Sequence, residues 1–545
     1  MKKTLMQLAQ EEEQNYSSPI VAAKINGEVR DIQSEYDHDD EISFIELNTS
    51  LGWRIYQRSI LFLFIVAVSN MNKEAEVVAK FTVNKGLYCE VKIPGKPINA
   101  HPINAHLIHD IEQEMREMIA NNIPIVKHSI PRQEAIELFQ ARGKRGKAAL
   151  IASLPHSMIS IYTCRNYPDY LYGAMLPETK LLGQFALDVE QSGVLIRTPD
   201  EMTDGKIRTR VEQPKFGHIL SEAKEWARIL ECPYISDLNQ INTEHRMGEL
   251  IRISEALQEK RIAQIADHIA SHRKNIRLIL IAGPSSSGKT SFAQRLQIQL
   301  RVNGLHPIMI SLDDYFLNRE DTPRNEKGEY DYESIDAIDT ALFNQNMLEL
   351  LNGHKVQIPY YNFITGKREW RDDNFLQLKE DQPIIIEGIH GLNERLTADI
   401  ARKNKYKIYI SALTQLNIDA HNRIPTTEVR FLRRLVRDHQ FRGAKAIKTI
   451  KQWPDVRAGE EKYIFPFQEE ADVLFNSALI YEIGVLKKYA VPLLEAIGRG
   501  EEGYTEARLI LRFLQYVNEI HDIDDIPNNS IFREFIGKSV FFKEK

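Results

Sequence analysis

The segment LILIAGPSSSGKTSFAQRLQIQL constrains this chain more than any other. Gly283, four residues, and then Gly288-Lys289-Thr290 complete the pattern GxxxxGK[ST], with an apolar run before it and helical spacing after it. That order of strand, loop and helix is what a phosphate-binding loop requires, because glycines let the backbone wrap an anion and the helix N-terminus donates N–H groups to it. On this reading Gly283, Ser285, Ser286, Ser287, Gly288, Lys289, Thr290 and Ser291 bind a nucleoside triphosphate, ATP or GTP. Lys289 reaches the β- and γ-phosphates, and the Thr290 hydroxyl coordinates Mg²⁺.

From Arg277 onward, LILIA, PIMIS, PIIIEG, KIYISA and ADVLFNS alternate with helical stretches. Short, wholly apolar strands separated by helices predict an α/β fold with a doubly wound, mostly parallel sheet. Ligands bind such sheets beyond the carboxyl ends of the strands, so acids placed there are the candidates for chemistry. Asp313 and Asp314 follow the strand Ile308 to Ile310, and Asp313 is the candidate base toward an acceptor hydroxyl; the alternative is a solvated turn or helix cap. Glu387 ends the strand Ile384 to Ile386, where a carboxylate holds Mg²⁺ directly or through water. In TTEVRFLRRLVRDHQFRG, Arg430, Arg434 and Arg437 share one helix face, with Arg433 off it and Arg442 just beyond, which suits a lid over a transferring phosphoryl group. His390 is left out of the chemistry.

At 545 residues the chain exceeds one ordinary core and predicts about three domains. With 43% hydrophobic and 27% charged residues it is a folded protein, not a disordered or collagen-like one. The net charge of -6 supplies no global positive field for nucleic acid, so any RNA contact is local. Cys89, Cys164 and Cys232 lie far apart without CxxC spacing, which argues against a disulfide framework or zinc ribbon and for a reducing cytoplasm. MKKTLMQLAQEEEQ turns acidic before any apolar stretch, unlike a signal peptide. The longest apolar run, Ser59 to Ser69, is about half the ~20 residues needed to cross a bilayer and reads as buried core, so no membrane partner is expected.

Ahead of the loop, VAAKINGEVRDI predicts a hairpin turning at Asn26-Gly27 within a small β-rich module. GLYCEVKI reads as a strand and IHDIEQEMREMIA as an amphipathic helix, so the next segment is α+β. The expected division is 1–70, a β module; 71–240, an α+β domain; 241–275, a connecting helix; and 276–545, the phosphate-binding domain with a C-terminal extension.

GPSSSGKT, SLDDYF, YDYESIDAID, VQIPYYNF, IIIEGIHG and RRLVRDHQFRG together resemble the uridine kinase and phosphoribulokinase family of P-loop kinases in order and spacing. The resemblance implies Asp313 as base toward a sugar 5′-hydroxyl, Glu387 near Mg²⁺, Asp331 on ribose hydroxyls, and Tyr361 near the nucleobase. It also implies Arg434, Arg437 and Arg442 around the phosphates. Two positions depart from it: Gly366 stands where a base-reading His is expected, and Ala444-Lys445 where a second arginine follows the lid's Arg-Gly.

Residues 20 to 70 resemble the β-grasp TGS module of threonyl-tRNA synthetases. YTCRNYPDYLYGAMLPETKLLGQFALD, with Cys164, Tyr167, Asp169, Gly173, Pro177 and Thr179, is similar to the second additional domain of those enzymes. The ligand spacing of its metal-dependent editing site is absent: His101, His106 and His109 are five and three apart, and Ala174-Met175 replaces an expected His. The expected function is an ATP- and Mg²⁺-dependent kinase acting on a small-molecule hydroxyl, most readily that of a nucleoside. The alternative is a nucleotide-dependent switch that engages tRNA or ribosome through the N-terminal domains. A homo-oligomer stays open.

Overall fold

The computed structural model describes residues 4–83, 86–93, 103–190, 193–203, 205–207, 209–325 and 328–542. Five strands, Leu278–Ala282, Ile308–Ser311, Ile384–Glu387, Lys405–Ser411 and Val473–Asn476, are the five apolar runs read from the sequence, and they pair in parallel throughout. Across the sheet, Ile308–Ser311 lies at one edge, followed by Ile384–Glu387, Leu278–Ala282, Lys405–Ser411 and Val473–Asn476. Because side chains alternate along a strand, Ile279 and Ile281 face helix Lys289–Val302 through Phe292 and Leu296. Leu278 and Leu280 face Phe343 and Met347 of helix Thr340–Leu351. Register then sets the site: Glu387 pairs with Ile281 on one side and Ser311 on the other, so the strand ends carrying the phosphate loop, Glu387 and Asp313 meet at the carboxyl end of the sheet.

The expected connecting helix is Met247–Ser271. Ile262, Ile265, Ala266 and Ile269 share a core with Ile279 and Ile281, so this helix forms part of the layer covering the sheet. Ile262, Ile265 and Ile269 each contribute about 1.5–3 kcal/mol through burial.

In the N-terminal half, Ile20–Ile25 pairs with Glu28–Asp31 and Ile42–Glu46. Asn26 and Gly27 take φ of 55° and 81°, the paired positive values of a tight hairpin turn. These three strands form the β sheet expected here, and the last stretch of the module is helical. Residues Ser50–Met71 form a helix that includes the whole apolar run, started by Thr49, whose hydroxyl accepts the Gly52 N–H at 3.1 Å. A continuous apolar run carries no period, and the cap and the packing decide it. This helix is long and apolar enough to cross a membrane by length and composition, and 72% of its most apolar window is buried inside the protein, against residues such as Val77, Met115 and Val194. Among the described residues, a sheet of Glu76–Val83, Gly86–Lys92, Gly193–Arg197 and Ala186–Glu190 and the helix Ala105–Ala120 complete the mixed α+β region.

The two halves interlock through buried polar groups. Asp169, in the synthetase-like stretch, ion-pairs with Lys147, and its Oδ2 lies 2.5 Å from Nδ1 of His421, in the loop after strand Lys405–Ser411. Burial alone would raise the Asp169 pKa, but His421 and Lys147 hold it well below the ordinary carboxylate range. Beside it, Asn422 donates to the Tyr170 carbonyl and accepts the Tyr172 N–H, each at 3.0 Å.

Candidate active site

The phosphate loop runs from Gly283 to Gly288 between strand Leu278–Ala282 and helix Lys289–Val302. Gly288 has φ of +84° and a Cβ there would meet Ile531 at 2.4 Å, while a Cβ on Gly283 would lie 2.0 Å from the Ile410 carbonyl, so both positions demand glycine. The Lys289 amine donates to the Gly283 and Pro284 carbonyls at 3.0 and 3.3 Å. Thr290 Oγ1 donates to Glu387 Oε1 at 2.8 Å. The buried hydroxyls of Ser286 and Ser287 make no hydrogen bond among the described residues, and Ser291 donates to Glu534 at 2.7 Å.

Asp313 sits in the 3₁₀ turn Leu312–Tyr315 just past strand Ile308–Ser311, with its side chain open to the cleft. Desolvation by the surrounding protein raises its pKa, Lys289 opposes the rise, Asp314 adds to it and Arg442 opposes it. Glu387 is raised for the same first reason, with Lys289 opposing, Asp313 adding and the Thr290 hydroxyl opposing. The mutual influence of Lys289, Asp313 and Glu387 is the electrostatic sign that these side chains share one cleft.

Of the residues expected to meet an acceptor, Asp331 accepts the Tyr463 hydroxyl at 2.9 Å. Tyr361 is only 2% exposed, with its ring against Phe316 and Phe363, so the surface offered here is Phe363, 61% exposed, and Tyr361 packs behind it. Gly366 has φ of +70°, and a Cβ there would meet Arg319 Nε at 2.6 Å; the Arg319 guanidinium fills the space a larger residue would need. Sequence reasoning missed Glu333, two residues after Asp331. Burial raises its pKa to about 7, Glu460 adds to the rise, and Lys289 and Arg434 oppose it.

The arginines divide into two sets. Arg434 donates to the Ser285 hydroxyl at 2.8 Å, which joins helix Thr426–Arg442 to the phosphate loop. Asp438 gathers Arg434, Arg437 and Arg442 at 3.3, 2.8 and 3.4 Å, a role its position one residue after Arg437 does not announce. Arg430 departs from the lid reading: it is 1% exposed, ion-paired with Glu460 and donating to the Ser285 carbonyl at 3.0 Å. Arg433 is likewise buried against Glu482. Helical spacing alone placed Arg430 with Arg434, but the neighbouring helix Ala446–Tyr463 supplies Glu460 and makes Arg430 a structural cation. Of the N-terminal candidates, His101 lies outside the described residues. Cys164 is fully buried, with its thiol pushed up to about 11 by burial against the opposing Arg165, and the His106 side chain is 84% exposed.

The deciding comparison covers the same strands, loop and arginine helix. Residues 278–482 match the phosphoribulokinase / uridine kinase family. This region is 29% identical over 202 residues to the uridine kinase of Staphylococcus aureus (strain JH9), covering 37% of this chain and 87% of that protein. It is 31% identical over 203 residues to the uridine kinase of Saccharomyces cerevisiae, covering 37% of this chain and 36% of that protein. The N-terminal region is similar to the threonine–tRNA ligase of Clostridioides difficile, 25% identical over 229 residues, 41% of this chain and 35% of the ligase. The chain thus spans about a third of the yeast kinase and of the ligase.

Proposed function

We propose that this chain transfers the γ-phosphoryl group of ATP to a hydroxyl of a small molecule, with a nucleoside 5′-hydroxyl as the acceptor suggested by the uridine kinases among its relatives. The observation that carries the reading is the convergence of Lys289, Thr290, Asp313 and Glu387 at the carboxyl end of the sheet. The residues fit Mg²⁺ and ATP: Thr290 and Glu387 are paired hard oxygen donors, and the unpartnered Ser286 and Ser287 hydroxyls lie in the loop itself. Bound Mg²⁺-ATP supplies the transferable group and the cation that neutralises its charge.

Lys289 swings from the Gly283 and Pro284 carbonyls to the phosphates, and the loop amides orient them. Asp313 accepts the acceptor's hydroxyl proton, and its raised pKa makes it the stronger base. Arg434, Arg437 and Arg442, held together by Asp438, present fixed donors to charge developing on the transferred group. Asp331 and Glu333 face the acceptor's hydroxyls, Tyr361 supports the acceptor wall, and Arg319 replaces a base-reading residue at Gly366. The test is ADP release with Mg²⁺-ATP across nucleosides, ribose phosphates and other hydroxyl acceptors, with product masses and Lys289→Ala as blank. One added phosphoryl mass on a nucleoside supports the reading. No transfer to any acceptor with ATP binding retained overturns it in favour of a nucleotide-dependent switch.

A further inference from the structure

Between the N-terminal half and the kinase unit lies a cavity of about 820 Å³ whose lining includes none of Lys289, Asp313 and Glu387. Its size lies within the range of sites that enclose a small molecule. Along its wall cationic side chains outnumber carboxylates seven to four. One carboxylate, Glu428, faces three arginines, Arg54, Arg58 and Arg423. Arg54 reaches it only at 3.9 Å. Arg58 spends one donor on the Ala174 carbonyl at 2.6 Å, and Arg423 spends one on the Thr82 hydroxyl. Arg512, from helix Tyr504–Leu514, pairs with no carboxylate among the described residues. A guanidinium carries five N–H donors, so each of these arginines keeps donors in hand for an anion inside the cavity. Phe81, Tyr172, Phe216 and Phe465 line the same space and give it an aromatic wall.

We propose that this cavity is a second ligand site, taking a nucleoside phosphate whose phosphate meets Arg54, Arg58, Arg423 and Arg512 and whose base packs on the aromatic wall. The same wall reaches the phosphate loop. Arg430 and Arg457 line the cavity, and both ion-pair with Glu460, which accepts the Ser285 N–H at 3.0 Å. Occupancy therefore changes the affinity of the loop for its own nucleotide. This second part rests on the nucleotide-binding reading of the loop; the first does not.

The experiment is calorimetric titration of the full chain with AMP, GMP, CMP and UMP, in the presence of a saturating non-hydrolysable ATP analogue and Mg²⁺. One mononucleotide binds at one per chain, and Arg54→Gln and Arg512→Gln each weaken it by about tenfold or more while analogue affinity and acceptor turnover stay at wild-type levels. Arg54 is half-exposed and Arg512 only partly buried, so both variants fold. With the mononucleotide bound, analogue affinity shifts roughly 5- to 150-fold. Binding that survives both arginine variants but falls with Asp313→Asn places the ligand in the kinase cleft and overturns the proposal. So does failure of all four mononucleotides, or binding of a short single-stranded RNA where the mononucleotides fail. Mononucleotide binding with no analogue shift overturns only the coupling.

Discussion

The backbone N–H of Ser285 donates to Glu460 Oε1 at 3.0 Å, which ties the phosphate loop to a helix 175 residues further along the chain. Glu460 is 1% exposed and is the buried partner of Arg430 and Arg457. Glu460→Ala leaves Arg430 buried without its anion and removes an acceptor from the loop. Loss of one partner of a buried pair costs about 3–5 kcal/mol. Chemical denaturation reads this directly; a loss below about 1 kcal/mol would show that the pair behaves as a surface one.

Asp313→Asn keeps the shape of the side chain and removes its basicity. Turnover falls by about 10² to 10⁴, with ATP affinity nearly unchanged, whereas Lys289→Ala damages both. Steady-state kinetics beside an ATP-binding titration separates the two effects, and near-wild-type turnover in Asp313→Asn removes Asp313 as the base.

Glu333 titrates at about 7 in the folded chain against 4.5 ordinarily. Between those values the folded chain holds a proton that the unfolded chain has released. The group's stabilising contribution is therefore full below about 4.5 and lost as pH rises toward 7. Glu333→Gln consequently melts higher than wild type at pH 8 and level with it at pH 4.5. Equal differences in melting temperature at the two pH values would remove Glu333 as the titrating group.

On the proposed function, Arg319→Ala raises the acceptor KM by about tenfold with little change in kcat, because Arg319 packs against Gly366 and Phe363 and away from the phosphate loop. Gly366→His alone is strained, since its φ is +70° and its Cβ meets Arg319. Arg319→Ala relieves the collision, so the double variant recovers part of the stability lost in Gly366→His. A thermal melt that shows simple additivity argues against the collision.

Much of the phosphate-loop unit was legible because its determinants are local. A phosphate loop needs a strand before it and a helix after it, and five apolar runs bounded by helical stretches define a parallel sheet. Asp313 and Glu387 could be placed because a strand's end is readable from where its apolar run stops. The Ser50–Met71 helix was not legible, because an unbroken apolar run has no period and its neighbours come from elsewhere in the chain. Nor was the separation of Arg430 from Arg434. Spacing puts both on one helix face, but Glu460 neutralises the first while the second reaches the Ser285 hydroxyl. Local sequence determined which backbone conformations form and which groups stand at their ends. Tertiary structure decided which charges are buried, which are paired and which face the cleft, because a charge's environment is set by residues that sequence separation keeps far apart until the chain folds.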